Sequence, residues 1–214
     1  MDKIYDVVIA GSGPAGLSAA VTASRMGCRV VLIERNGIIG GNLTAGYVGP
    51  VMGSVSAGSI REEILDLLGS HQNDLYYDCE QAKIRLTEWL AGTTVETFLL
   101  STVVSVQKQG SCITQIQIVT PGGLTYLSGQ VYIDATGDGA LAALAGAPWQ
   151  QGRAADGLTQ PASIMFTLDH IDPAVDLQCR HEEDDTLIDG KSYLEMCRLA
   201  AKDGRLPSNV SIVR

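Results

Sequence analysis

The segment Gly11-Ser12-Gly13-Pro14-Ala15-Gly16 constrains this chain more than any other. It follows a short apolar run, Val7 to Ala10, and opens a stretch of small residues. A run of that length, bounded by glycine and lacking polar alternation, reads as a strand buried on both faces of a parallel sheet. The glycines fit GxGxxG. The first permits a tight turn, the second lets the backbone approach a pyrophosphate, and the third lets the helix pack close to the strand. Ala15, Ala19, Ala20 and Ala23 fall on or near one face of that helix. Its free N–H groups and its dipole would point at phosphates. Gly27 suits the helix end, and Arg29 to Ile33 reads as a second strand closed by Glu34. An acid roughly 20 residues past the glycines can accept hydrogen bonds from both hydroxyls of an adenosine ribose, and it repels a 2′-phosphate. The uncharged stretch from 7 to 24 has the length of a membrane span, but its glycines, serine and proline make strand, turn and helix the better reading.

Composition narrows the partners. The 214 residues carry a net charge of −9, which repels phosphate backbones and anionic lipid, so nucleic acid and membrane are not expected partners. Glycine is abundant, at 24 residues, and aromatic residues make up 5%, which favours an α/β core of small and aliphatic side chains. Cys28, Cys79, Cys112, Cys179 and Cys197 are odd in number and form no CxxC pair. A reduced, cytoplasmic setting fits them better than a disulfide framework or a zinc site. His71, His170 and His181 show no metal-ligand spacing.

Two further stretches decide between kinds of dinucleotide. In "ERNGIIGGNLTAG", residues 34–46, Gly40-Gly41 follows Glu34 and Arg35 closely, where a simple NAD domain would run on into its next helix. In "VYIDATGDGALAALAGAP", residues 131–148, a buried strand, Val131 to Ala135, turns at Thr136-Gly137-Asp138-Gly139 into a small-residue helix. Together with the opening, these stretches resemble the bacterial FAD-dependent oxidoreductase family, of the glutathione-reductase-like class. "DGLTQPASIMFTLDHID", residues 156–172, is similar to that family's next segment. Thiazole-synthase-type proteins share the opening, but their following glycine triplet has no counterpart here. The resemblance implies FAD as cofactor, with a site built from Gly11, Ser12, Gly13, Pro14, Ala15, Gly16, Glu34, Arg35, Gly40, Gly41, Asn42, Thr44, Ala135, Thr136, Gly137 and Asp138. It also implies that the backbone near Val103 lies against the adenine. The flavin would carry hydride or electron transfer on a small-molecule substrate, and the protein would supply position and electrostatics.

The rest of the chain fits an α/β architecture: a Rossmann-like parallel sheet, an antiparallel β-meander insertion, and the start of a substrate domain. Ser59-Ile60-Arg61-Glu62 reads as a capping box, ahead of a helix that buries Ile60, Ile64, Leu65 and Leu68. Asp78 with Gln81 starts a second helix, with Ala82, Leu86, Trp89 and Leu90 on its apolar face. Residues 95–135 hold several short strands separated by Gly110 and Pro121-Gly122-Gly123. Beyond Pro148 come a strand from Ser163 to Leu168, an acidic exposed loop from Glu182 to Asp185, and a helix from Ser192 and Glu195 to near Gly204. The expected division is 1–147 for cofactor binding and 148–214 for part of a substrate domain. Arg153, His170 and Tyr47 are the side chains considered for contact with substrate or flavin.

Members of the resembled family return from the substrate domain with a final strand and a second glycine–aspartate turn. No such return precedes Arg214. The resemblance therefore implies an incomplete site: a fragment, a split gene product or a truncated piece, holding FAD weakly on its own. A homo-oligomer or a complementing chain remains open, as does a non-catalytic subunit that completes its site with another chain.

Overall fold

A computed structural model describes residues 4–49, 51, 58–69, 77–160, 162–163, 165, 170, 172 and 187–206. The chain divides into two compact units, Met1–Phe166 and Thr167–Arg214. In the first, β1 (Ile4–Ala10) leads through α1 (Pro14–Arg25) to β2 (Val30–Ile33). After α2 (Ile60–Leu68) and α3 (Cys79–Ala91) come β3 (Glu96–Phe98), β4 (Thr102–Gln109), β5 (Cys112–Thr120), β6 (Gly123–Asp134) and the short α4 (Ala140–Leu144). The sheet order is β3-β2-β1-β6-β5-β4. The pairs β3–β2, β2–β1 and β1–β6 are parallel, whereas β6–β5 and β5–β4 are antiparallel.

Burial on both faces explains the unbroken apolar runs of β1 and β2. Val7, Ile9, Val30 and Leu32 pack with Leu17, Ala20 and Val21 of α1 and with Ile64, Leu86 and Leu90 of α2 and α3. The alternate residues Val8, Ala10, Val31 and Ile33 pack with Ile116, Ile118 and Leu127 of the meander. Each fully buried aliphatic side chain contributes about 1.5–3 kcal/mol, so a one-residue slip that exchanged the faces would disrupt two cores at once.

The region from 95 to 135 differs from the sequence reading in two ways. The first strand of this region, within residues 95–100, does not join the meander: Glu96–Phe98 pairs with Val31–Ile33 at the edge of the parallel sheet. The last meander strand and the strand before Thr136 are one continuous element, β6. Gly123–Leu127 pairs with β5, and Ser128–Asp134 pairs with β1. Gly129 sits at the change of partner. A Cβ there would lie 2.5 Å from Val8 Cγ2, so the crossing strand needs glycine to approach the core.

Helix starts follow local chemistry unevenly. Asp78 caps α3 as expected, its carboxylate accepting from the Glu80 and Gln81 amides at 2.8 and 3.1 Å. The capping box at Ser59 does not close. Glu62 accepts instead from the Gly58 amide at 2.7 Å, and the buried Ser59 hydroxyl has no partner among the described residues. In the second unit, α5 (Tyr193–Lys202) begins at Ser192, whose hydroxyl accepts from the Glu195 amide at 3.2 Å. Of the expected 163–168 strand, Ser163 and Met165 are not in strand conformation, and the rest of it, apart from these two, lies outside the described residues. The acidic segment 182–185, His71, His181 and Cys179 also lie outside them.

Candidate functional site

The ends of β1, β2 and β6 converge on one cleft of about 320 Å³, at the carboxyl ends of the parallel strands. Ligands bind open α/β sheets at such a place. Among the residues expected in the site, Gly11 to Ala15, Glu34, Arg35, Gly41, Asn42, Val103 and Ala135 to Asp138 line the cleft. Gly16, Gly40 and Thr44 do not line it, and the geometry gives them supporting places. A Cβ on Gly16 would stand 1.9 Å from the Gly11 carbonyl oxygen, so this glycine seats α1 against the turn. Gly40 adopts a left-handed conformation, φ 108°, against Thr44. The buried Thr44 hydroxyl donates to the Ile39 carbonyl at 2.5 Å, closing the loop from beneath.

The three glycines of the opening motif occupy unlike surroundings. Gly11 has φ 93° and lies against the Ala135 backbone, where a Cβ would come within 2.5 Å of the carbonyl oxygen. Gly16 is closed in by Gly11. Gly13 is the exception: it lines the cleft, and a Cβ there would meet nothing within 4 Å. Gly13 is the N-cap of α1 and Pro14 its first residue. Pro14 has no N–H to satisfy. Among the described residues, no acceptor meets the amides of Ala15 and Gly16. The unpartnered amide of Ala15, which lines the cleft, and the positive end of a 12-residue helix therefore stand beside open space, with the Gly16 amide buried just behind.

Glu34 is nearly fully buried yet lines the cleft. Its Oε2 accepts from the Ser12 amide at 3.0 Å and from the Ser12 hydroxyl at 2.5 Å, and its Oε1 accepts from the Asn36 amide at 2.7 Å. The sequence reading did not anticipate these bonds. Ser12 is the first of the three variable positions of the glycine motif, and its hydroxyl was the available signal.

Asp134 was also missed, although it begins the DATGDG stretch. Its Oδ1 accepts from the Thr136 amide at 2.9 Å and the Thr136 hydroxyl at 2.6 Å, and Oδ2 accepts from the Ala142 amide at 2.7 Å. Burial pushes its carboxyl up, but these bonds outweigh it and hold the group below the usual carboxylate range. The Thr136 hydroxyl in turn accepts from the Ala140 amide at 2.8 Å. Asp134 and Thr136 thus cap α4, which leaves Asp138 exposed at the cleft.

The other side chains considered have defined settings. Tyr47, φ 51°, donates to Glu80 at 2.5 Å and accepts from Lys83 at 2.8 Å. Arg153 is engaged by both carboxylate oxygens of Asp156, at 3.0 and 2.6 Å. That pairing argues against a role for Arg153 in steering a carboxylate. His170 is exposed, with φ 58°. Among the described residues, no group of His, Cys, Asp and Glu could hold a metal ion, and no helix is long and apolar enough to cross a membrane.

Comparison with known proteins places these features. The family described as FAD dependent oxidoreductase matches residues 6–207. A soluble pyridine nucleotide transhydrogenase of Mycobacterium bovis is 35% identical over 83 residues, which is 39% of this chain and 16% of the relative. One from Chromohalobacter salexigens is 34% identical over 74 residues, 35% of this chain and 15% of the relative. The chain thus spans well under two thirds of the length of these relatives. Among solved structures, THI4 of Thermovibrio ammonificans is similar with TM-score 0.51 and 24% identity, over 68% of this chain and 64% of that one. A flavoprotein/dehydrogenase from Cytophaga hutchinsonii is similar with TM-score 0.51 and 17% identity, over 67% and 42% respectively. These likenesses establish the fold.

Proposed function

Starting from the premise that this chain belongs to the FAD-dependent oxidoreductase family, we propose that its cleft receives the ADP half of FAD for flavin-mediated transfer of hydride or electrons on a small molecule. The observation that carries the reading is the open face of Gly13 beside the unpartnered amides of Ala15 and Gly16. A side chain at position 13 would fill that space, and a pyrophosphate suits both the room and the donors. The residues present therefore fit the cofactor.

In this reading, the turn from Gly11 to Ala15 cradles the pyrophosphate. Glu34 faces the adenosine ribose, and its negative charge disfavours a 2′-phosphate. The backbone at Val103 borders the adenine. Gly41, Asn42 and the turn from Ala135 to Asp138 line the path away from the adenosine, and Asp134 fixes that turn from behind. FAD, when bound, supplies the redox chemistry; this chain's residues bind and orient it. The proposed division assigns cofactor binding to residues 1–147 and the start of a substrate-binding portion to 148–214. The test is a binding comparison of FAD with FMN. FMN lacks the AMP part of FAD, and with it the adenosine and the second phosphate, so the chain should bind FAD and ADP competitively and ignore FMN. Equal affinity for FMN and FAD would overturn the assignment.

A further inference from the structure

We propose that Ser12 limits Glu34 to a single ribose hydroxyl. This rests on the reading above, in which Glu34 faces the cofactor's ribose. A carboxylate offers about four lone-pair sites, two on each oxygen. The Ser12 amide and the Ser12 hydroxyl fill both sites of Oε2, at 3.0 and 2.5 Å. The Asn36 amide takes one site of Oε1, at 2.7 Å. One site remains, on Oε1. An ionised carboxylate can only accept, so the Ser12 hydroxyl must donate to it. Ser12 is fully buried, so a ligand hydroxyl cannot displace it without stranding that buried donor. The pair of hydroxyl contacts that Glu34 offers on sequence grounds is thereby reduced to one. The second ribose hydroxyl is left to a neutral group or to water. Ser12 is thus a specificity-determining and positioning residue: it fixes the carboxylate and sets how it reads the sugar.

The experiment is isothermal titration of the wild-type chain with ADP, 2′-deoxy-ADP and 3′-deoxy-ADP. Hydrogen bonds to charged groups are stronger than those between neutral groups, so one deoxy analogue should bind about tenfold to a hundredfold more weakly than ADP. The other should stay within about threefold of ADP. In Ser12→Ala the freed site on Oε2 admits the second hydroxyl, and both analogues should then lose affinity relative to ADP. Similar losses for both analogues in the wild-type chain, or no loss for either, overturn the inference while leaving the ADP site standing. Absence of ADP binding by the folded chain overturns the reading of the cleft and this inference with it. If Ser12→Ala does not fold, the wild-type comparison alone decides.

Discussion

Substitutions at Gly13 and Gly16 should separate ligand binding from folding within one motif. Gly13 has φ −64° and ψ −177°, a backbone that any residue adopts, and its Cβ direction is open. Serine is a better N-cap than glycine by a few tenths of a kcal/mol, so Gly13→Ser should leave stability unchanged or slightly raised. The introduced hydroxyl oxygen would accept from the amide of Ala15 or Gly16, the donors assigned here to the pyrophosphate. Losing one charge-assisted bond costs about 1.5–3 kcal/mol, so ADP should bind about 10- to 100-fold more weakly. Gly16→Ala should do the reverse. Its Cβ would stand 1.9 Å from a backbone oxygen that no side-chain rotation can move. Overpacking of that kind costs about 3 kcal/mol, and the better helix propensity of alanine returns about 1 kcal/mol. The net loss of about 2 kcal/mol lowers the unfolding temperature by about 4–8 °C in a chain of this size. Thermal unfolding and ADP titration of both variants check the pair. Undiminished ADP affinity in Gly13→Ser, or a wild-type unfolding temperature in Gly16→Ala, would refute the reasoning.

Three further outcomes are expected. Asp134 has its folded pKa below the ordinary 3.8, so its contribution to stability is complete above that value and is lost as pH falls through the folded value. Urea midpoints from about pH 6 to pH 2.5 should therefore show an acid-side decline that Asp134→Asn flattens. The Tyr77 hydroxyl lies 2.9 Å from the Leu43 carbonyl and 2.8 Å from that of Val48, tying the loop past Gly41 to the start of α3. Tyr77→Phe should cost about 1 kcal/mol and speed hydrogen exchange at Leu43 to Val48 more than in α3. The exposed Arg25–Glu63 pair, 2.7 Å apart, should contribute under about 1 kcal/mol, so Arg25→Ala should leave the unfolding midpoint nearly unchanged.

Much of the fold is legible because the local signals agree with tertiary packing. The runs in β1 and β2 are apolar at every position because both faces are covered, and the glycine motif between them tolerates few backbone paths. Asp78 caps α3 because its carboxylate meets exposed amides with no rival. At Ser59 the same kind of pattern failed, since Glu62 found the Gly58 amide first. The continuity of β6 was illegible because the strand changes partner beside Gly129, and only the proximity of Val8 shows that glycine to be a crossing point. In the cleft, the sequence spacing indicates which residues gather. It does not indicate which of them are committed to one another. The bonds from Ser12 and Asn36 to Glu34, and the capping by Asp134, depend on side-chain directions that only the folded chain defines.

The most direct test of the central claim is a map of backbone amide shifts as ADP is added to the isotopically labelled chain. The amides of Gly13, Ala15 and Gly16 should move together and saturate at one affinity, with Val103 shifting at the same affinity. Saturable shifts that spare Gly13 to Gly16, or no shift anywhere, would contradict the assignment of this cleft as the ADP site.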